Sequence, residues 1–212
     1  SIDLIYKIIN CSDGMFVYTG SIDNRVRRWD MRMSETHDGD STRQRSASSK
    51  GRRGLQQPQQ PPDEVDMCLA GHRDTITGLR LSPDGNFLLS NAMDNQLRSW
   101  DIRPFVASVV GTGGAGGATG APGAEDRLLR AFFGPRHGAE KNLLKCSWSP
   151  DQKMICAGSA DRMVHILRAE TGEQEYYLPG HKGSVNEVIF HPSEPVIASA
   201  GSDKTIFLGE LI

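Results

Sequence analysis

One spacing recurs four times along the 212-residue chain and limits how it can fold. An aspartate stands six residues before a tryptophan in "SIDNRVRRWD", and the same spacing returns in "MDNQLRSWD". The frame continues in "SADRMVHILR" and "GSDKTIFLGE", so the four tryptophan positions hold Trp29, Trp100, Leu167 and Gly209. A fixed period indicates a repeat protein, in which each copy buries its apolar surface against its neighbours.

Further landmarks extend the frame backwards from the aspartate. Pro83, Pro150 and Pro192 each lie eleven residues before it, and His72 and His181 lie eleven residues earlier again. Short apolar runs between these landmarks are separated by turn residues, which predicts three β-strands for each copy and allows a fourth. The sequence therefore predicts an all-β chain with copies at about residues 1–32, 65–103, 127–168 and 173–212.

Two stretches of low complexity account for the wider intervals between the first three copies. Residues 33–64 have few apolar side chains, so we expect disorder there, and the same is expected for the Gly-rich residues 106–126. The first insert is interpreted as a solvated loop between blades. The alternative is a nuclear-import patch between Arg43 and Arg53, or phosphorylation at its serines, Ser46, Ser48 and Ser49. The second lacks the G-K-[ST] and helix of a phosphate loop.

Four-stranded copies of about 42 residues with G-H and W-D landmarks resemble the WD-repeat β-propeller family. The resemblance implies that each copy is one blade of a ring. The first copy begins at the position of the "GH" loop, and the last copy ends just after its third strand. We therefore expect an incomplete, open part of a larger ring of the family's seven-bladed form, without strand pairing between the first and last copies.

The family pattern also implies a structural role for the spaced polar residues. It predicts a hydrogen-bond chain from Asp to His, to a Ser or Thr, and then to Trp. The second copy has the full set, and the other copies have parts of it. The complete tetrad is His72, Ser90, Asp94 and Trp100; the partial sets are Thr19, Asp23 and Trp29, then Asp161 alone, then His181, Ser199 and Asp203. Leu167-Arg168 replaces Trp-Asp, which predicts a weaker anchor in the third blade.

A His-Ser-Asp set also suggests a hydrolase, but its spacing here belongs to the repeat. We therefore predict no catalytic residues, and no cofactor or metal site, since no ligand cluster accompanies His72 or His181. The four cysteines form no C-x-x-C pair, which favours buried thiols in a reducing compartment. No signal peptide and no apolar run of membrane-spanning length is evident. A net charge of −2 gives no support for nucleic-acid binding by bulk electrostatics.

Three ordered segments carry a more specific resemblance. They are "LSNAMDNQLRSWDIRPF", "EKNLLKCSWSPDQKMICAGSADRMVHILRAETG" and "LPGHKGSVNEVIFHPSEPVIASAGSDKTIFLGELI". They resemble the family of WD-repeat subunits of the U5 small nuclear ribonucleoprotein. The resemblance implies a nuclear, non-catalytic splicing subunit that binds the large central U5 scaffold protein and other spliceosomal proteins. No aromatic-basic stripe of the kind that binds single strands is evident, so we expect no direct contact with nucleic acid. We also expect none with a membrane or a small-molecule substrate.

A second functional hypothesis comes from "WDMR" and "WDIR" at the ends of two predicted strands. Trp-Asp-x-Arg at this place resembles the motif through which some propellers dock onto adaptors of cullin–RING ubiquitin ligases. Arg32 and Arg103 would then contact the partner. The alternative is local: an arginine here caps a turn or pairs with a neighbouring acid.

Overall fold

The structure is a computed structural model that describes residues 5–10, 14–32, 65–104 and 127–211. These ranges contain β-strands joined by turns and no α-helix, as expected for an all-β chain. In this part of the chain there is no helix long and apolar enough to cross a membrane. Both predicted inserts, the basic run with its serines, and Cys11 lie outside the described residues.

The strands form four antiparallel sheets that follow one another along the chain. The first sheet contains β1 (Ile5–Asn10), β2 (Phe16–Ser21), β3 (Arg25–Asp30) and β4 (Val65–Ala70). The second contains β5 (Ile76–Leu81), β6 (Phe87–Ala92), β7 (Gln96–Asp101) and β8 (Leu128–Phe132). The third contains β9 (Cys146–Trp148), β10 (Met154–Ala157), β11 (Val164–Arg168) and β12 (Gln174–Leu178). The fourth contains β13 (Val185–Phe190), β14 (Val196–Gly201) and β15 (Ile206–Glu210).

The outer strand of a sheet comes from the start of the next sequence copy. β4 opens the copy at 65–103 but pairs with β3 of the first sheet, and β8 likewise pairs with β7. The expectation that the first insert joins two blades is therefore wrong, because the strands on either side of it are neighbours in one sheet. Each copy is thus interlocked with the sheet before it, which couples consecutive blades through the backbone.

Three apolar cores lie between successive sheets. Alternating residues of a strand point to opposite faces, so a strand between two sheets contributes to two cores. Leu88 packs against Tyr18 and Val26 of the first sheet, whereas the next residue, Leu89, packs towards Trp148 of the third. In the same way, Cys156 belongs to the core between the third and fourth sheets, and Ile155 belongs to the core between the second and third. The middle sheets are therefore buried on both faces, as blades are.

The four sheets do not close into a ring. In the described residues, every strand pair lies within one sheet, and no strand of the fourth sheet pairs with the first. The fourth sheet has three described strands, so β15 lies at its edge with Ile206 and Leu208 about three-quarters exposed, at 74% and 75%. The prediction of an open set of blades is confirmed.

Candidate functional site

The second sheet contains an unbroken chain of hydrogen bonds between its loop and strands. His72 Nδ1 lies 3.0 Å from Asp94 Oδ2, and His72 Nε2 lies 2.7 Å from the hydroxyl oxygen of Ser90. The Trp100 indole N–H donates to the same oxygen at 2.8 Å. Asp94 also accepts from the backbone N–H of Arg73. The chain joins the loop before β5 to β6, to the β6–β7 turn and to β7.

Burial determines the protonation state of this chain. Burial lowers the pKa of His72, and the hydrogen bond to Asp94 opposes it without restoring the ordinary value. Burial acts to raise the pKa of Asp94, but hydrogen bonds from His72 and Arg73 outweigh it, so the pKa lies below its usual value. A neutral His72 then donates from Nδ1 to the carboxylate and accepts from Ser90 at Nε2, so both ring nitrogens are satisfied.

The fourth sheet has the same hydrogen bonds between aspartate and histidine and between histidine and serine, but not the bond from a tryptophan. His181 Nδ1 lies 3.1 Å from Asp203, and Nε2 lies 2.9 Å from Ser199. Gly209 provides no indole, and the ring of Phe207 instead meets His181 edge-on at 4.7 Å between centroids. The Thr205 hydroxyl donates to Asp203 at 2.7 Å and is the main reason that the pKa of this carboxyl lies well below its usual value. The histidine is therefore held without a tryptophan.

In the first and third sheets, the residue that pairs with the aspartate lies on the third strand and not in the loop before the first strand. Trp29 donates its indole N–H to Thr19 at 2.8 Å, while Asp23 pairs with Arg27. In the third sheet, Asp161 lies 2.9 Å from Nε2 of His165. Both partners stand four residues after the aspartate, on the third strand of the sheet. Sequence reasoning missed them, and the spacing gives no signal, because Arg98 stands at the same position in the second copy, where the aspartate bonds to His72 instead.

Leu167 occupies the tryptophan position of the third copy and makes apolar contacts there. It is 1% exposed and belongs to the core that contains Phe132 and Trp148. Its side chain has no N–H to donate, so no bond to the second strand replaces that of Trp100. The weaker anchor in this blade remains a prediction.

The two WD-x-R arginines are held by local contacts. Arg103 pairs with Asp101 through both its Nε and a terminal nitrogen, and its guanidinium lies 5.7 Å from the ring centroid of Phe87. Arg32 pairs with Asp30, and hydrogen bonds from its side chain and backbone lower the pKa of Asp30 to about 2. These contacts match the local alternative, in which the arginine pairs with a neighbouring acid.

The remaining chemistry-bearing groups do not converge. Among the residues that the structure describes, no cluster of three or more His, Cys, Asp or Glu side chains could hold a metal ion. Cys146 and Cys156 are buried free thiols, and Cys68 is a half-buried one. Burial raises the pKa of Cys156 well above its usual range, so this thiol is protonated and inert as a nucleophile.

The repeat geometry agrees with a family model. The model of the WD40 family, described as WD domain, G-beta repeat, matches residues 3–30, 64–101, 128–167 and 172–208. These four matches cover more than half of the chain and coincide with its four sheets and their linking strands. The chain belongs to the WD40 family, and its sheets are WD-repeat blades.

Several curated proteins are similar to the chain over most of its length. The U5 small nuclear ribonucleoprotein 40 kDa protein of Homo sapiens is 40% identical over 70% of this chain and 37% of its own length. The protein of the same name from Dictyostelium discoideum is 42% identical over 66% of this chain and 47% of its own length. The pre-mRNA-splicing factor cwf17 of Schizosaccharomyces pombe is 37% identical over 93% of this chain and 44% of its own length. The chain thus spans less than half the length of the curated relatives that it matches.

Proposed function

We propose that the chain is a non-catalytic, protein-binding part of a U5 small nuclear ribonucleoprotein subunit and acts in pre-mRNA splicing in the nucleus. The observation that carries the proposal is the similarity, over 93% of this chain, to a protein named as a pre-mRNA-splicing factor. The 40% identity to proteins named as U5 subunits supports the same assignment. The proposed partners are spliceosomal proteins, chiefly the large central U5 scaffold protein.

The geometry supports a docking role over catalysis. A serine bonded to a histidine is also what a hydrolase has, but Ser90 and Ser199 are both buried, so a substrate has no access to either hydroxyl. The apolar cores hold the blades in fixed relative positions, and the loops at the ends of the sheets are therefore presented on a rigid support. A preorganised surface loses little conformational entropy when a partner binds.

Affinity purification of the full-length protein tests this function. We expect recovery of U5 proteins together with the U5 RNA, and we expect the proteins to remain after nuclease treatment because the contacts are with protein. Imaging of the tagged protein should show it in the nucleus. Recovery of neither the U5 proteins nor the RNA would overturn the proposal.

Substitution of the two WD-x-R arginines distinguishes the splicing function from the ubiquitin-ligase alternative. Both guanidinium groups already pair with Asp30 or Asp101, so we expect the double variant Arg32→Glu with Arg103→Glu to retain its association with spliceosomal proteins. A folded double variant that loses only cullin adaptors would favour the ligase function. Nuclease-resistant recovery of cullin adaptors without U5 proteins from the unmodified chain would do the same.

A further inference from the structure

One end of the third and fourth sheets carries exposed positive charge. Because the strands of a blade alternate in direction, the loop before its first strand and the turn between its second and third strands lie at the same end. In the third and fourth blades these loops and turns carry five exposed cationic side chains. We call this set the cationic end: Arg136, Lys141, Arg162, Lys182 and Lys204.

Backbone and side-chain contacts bring these loops together into one surface. Arg136 accepts a hydrogen bond from the N–H of Ala160 at 2.7 Å, which places it beside the turn that holds Arg162. Asn142, next to Lys141, donates to Ser184 at 2.6 Å, and Ser184 accepts from the N–H of Ser202 at 2.8 Å.

The fourth blade adds its two lysines to the same surface. The N–H of Lys182 donates to Asp203 at 2.8 Å, and Lys204 is the next residue of that turn. The five positions therefore form a continuous surface across two blades.

Two of these cations stand at a turn position where the fold does not require a positively charged residue. Arg162 and Lys204 have φ angles of 72° and 66°, in the left-handed region that most side chains avoid. The corresponding turns of the first two blades use Asn24 and Asn95, with φ angles of 68° and 63°. Asparagine tolerates this conformation better than arginine or lysine does. The turn therefore closes without a cation, and the two charges need another explanation.

The acidic groups nearby are held by local contacts and number four, against the five cations of this surface and Lys145, so the surface keeps a positive excess. Asp161 is bonded to His165, and Asp203 to His181 and Thr205. Glu140 accepts from Asn142, and Glu187 pairs with Lys145. In contrast, the side chains of the cationic end make no hydrogen bond or ion pair with the residues that the structure describes. Their charges point outward on a chain whose net charge is −2.

We propose that the cationic end docks an acidic segment of a partner protein. Unpaired cations on a rigid surface attract a chain of the opposite charge and raise its rate of association. The loop 134–145 also exposes Leu143, at 44%, beside Lys141. This combination fits a peptide in which carboxylates flank an apolar side chain. The proposal concerns the chemistry of a partner and stands whether or not the complex is spliceosomal.

A single-stranded RNA fits this surface less well. Binding of single strands relies on several aromatic rings on which successive bases stack. Phe133, just before this loop, exposes one such ring, at 66%, whereas Leu143 within the loop is aliphatic. The ring of Tyr177 is already packed edge-on against His165 at 4.9 Å, and its hydroxyl lies 3.3 Å from Asp161.

The asparagines of the first two blades supply the test variant. The double substitution Arg162→Asn with Lys204→Asn removes two charges and installs the residue that the same turn already accepts elsewhere, so the fold is retained. The probe is a fluorescein-labelled synthetic peptide in which Asp and Glu flank one Leu, titrated with the full chain at low salt. We expect the Kd of the variant to rise about tenfold, and binding by the unmodified chain to weaken as salt is added.

A matched control removes the same charge from the other end of the sheets. Lys153 and Arg130 are exposed, and Arg130 donates to the carbonyl of Thr171 in the turn before β12. The variant Lys153→Gln with Arg130→Gln should bind the peptide as the unmodified chain does. An equal loss in both variants would show an effect of net charge and overturn the proposal, as would absence of saturable peptide binding. Tighter binding of an oligouridylate than of the peptide would overturn it in favour of RNA.

Discussion

Ser90 is the residue on which the hydrogen-bond chain of the second sheet converges. Its hydroxyl serves both His72 and the indole of Trp100, and it is fully buried. Replacing it with alanine leaves two buried polar groups without a partner. We therefore expect Ser90→Ala to lower the free energy of unfolding by roughly 2–4 kcal/mol, because each unsatisfied group costs about 1–3 kcal/mol. Urea denaturation monitored by tryptophan fluorescence measures the loss.

Ser99→Ala is the matched control for this prediction. Ser99 lies on β7, is 4% exposed, and makes no side-chain hydrogen bond with the described residues. Its substitution should change the free energy of unfolding by less than about 0.5 kcal/mol. Equal losses in the two variants would mean that the hydroxyl of Ser90 matters only for packing.

His72 makes stability depend on pH. Its pKa in the folded chain lies below the ordinary value of 6.5, chiefly because of burial, so below that pH the unfolded chain binds more protons than the folded one. The free energy of unfolding should therefore fall as the pH drops from about 7 to about 5. Asp94, whose pKa is lowered from 3.8, contributes a second loss in stronger acid.

Urea titrations across this pH range measure the slope. The variant His72→Gln cannot titrate there and should show a shallower dependence, although not a flat one. His137 remains in the variant, and burial lowers its pKa too. An unchanged slope in His72→Gln would exclude His72 as a source of the pH dependence.

At the residue scale, spacing predicted positions better than it predicted partners. The frame assigned Thr19, Asp23 and Trp29 to one copy, and the structure joins Thr19 to Trp29. It did not reveal that Asp23 pairs with Arg27, because that contact depends on which side chains share a face of the turn and β3. A residue four positions after an acid becomes its neighbour only once the turn between them is formed.

The turn between the second and third strands is the element in which sequence and backbone are most tightly coupled. Asn24, Asn95, Arg162 and Lys204 all have positive φ angles there. A left-handed conformation costs most side chains roughly 1–2 kcal/mol, and asparagine less. Arg162→Asn should therefore raise the free energy of unfolding by about 0.5–1 kcal/mol, measured by urea denaturation at high salt, where charge effects are screened.

The reverse substitution, Asn24→Lys, provides the comparison. The side chain of Asn24 makes no hydrogen bond with the described residues, and high salt screens the charge that lysine adds, so the change tests chiefly the backbone conformation. We expect a loss about equal to the gain in Arg162→Asn. No gain in Arg162→Asn, or no loss in Asn24→Lys, would mean that φ does not govern stability at this turn.

Strand order within a sheet was harder to predict than strand existence. The apolar runs identified the strands, but β4 and β8 pair with the copies before them. The run "VDMCLA" has the same alternation whichever sheet it joins, so its pattern contains no information about its partner. Pairing is decided by the neighbouring edge and by the connection, and the connection at 33–64 has no regular pattern.

At the scale of the whole molecule, blades are joined by close approach of their backbones as well as by apolar cores. Gly158 follows β10 of the third sheet and faces β13 of the fourth, and a β-carbon added to it would overlap the carbonyl oxygen of Val185. The N–H of Val185 donates to the carbonyl of Ser159 at 2.9 Å, which fixes the two backbones at this separation. The third and fourth blades can therefore pack this closely only with glycine at position 158.

Gly158→Ala should separate these two blades and lower the free energy of unfolding by about 1–3 kcal/mol or more, because a rigid backbone cannot yield as a side chain does. Gly209→Ala is the control: the nearest heavy atom would lie 3.6 Å from its β-carbon, an ordinary contact. That variant should be unchanged or more stable by up to about 1 kcal/mol, since alanine loses less chain entropy on folding. Hydrogen exchange should show the loss in Gly158→Ala first in β13 and β14, while the first two blades keep their protection. Uniform loss of protection across all four sheets would instead mean that the blades unfold as one cooperative unit.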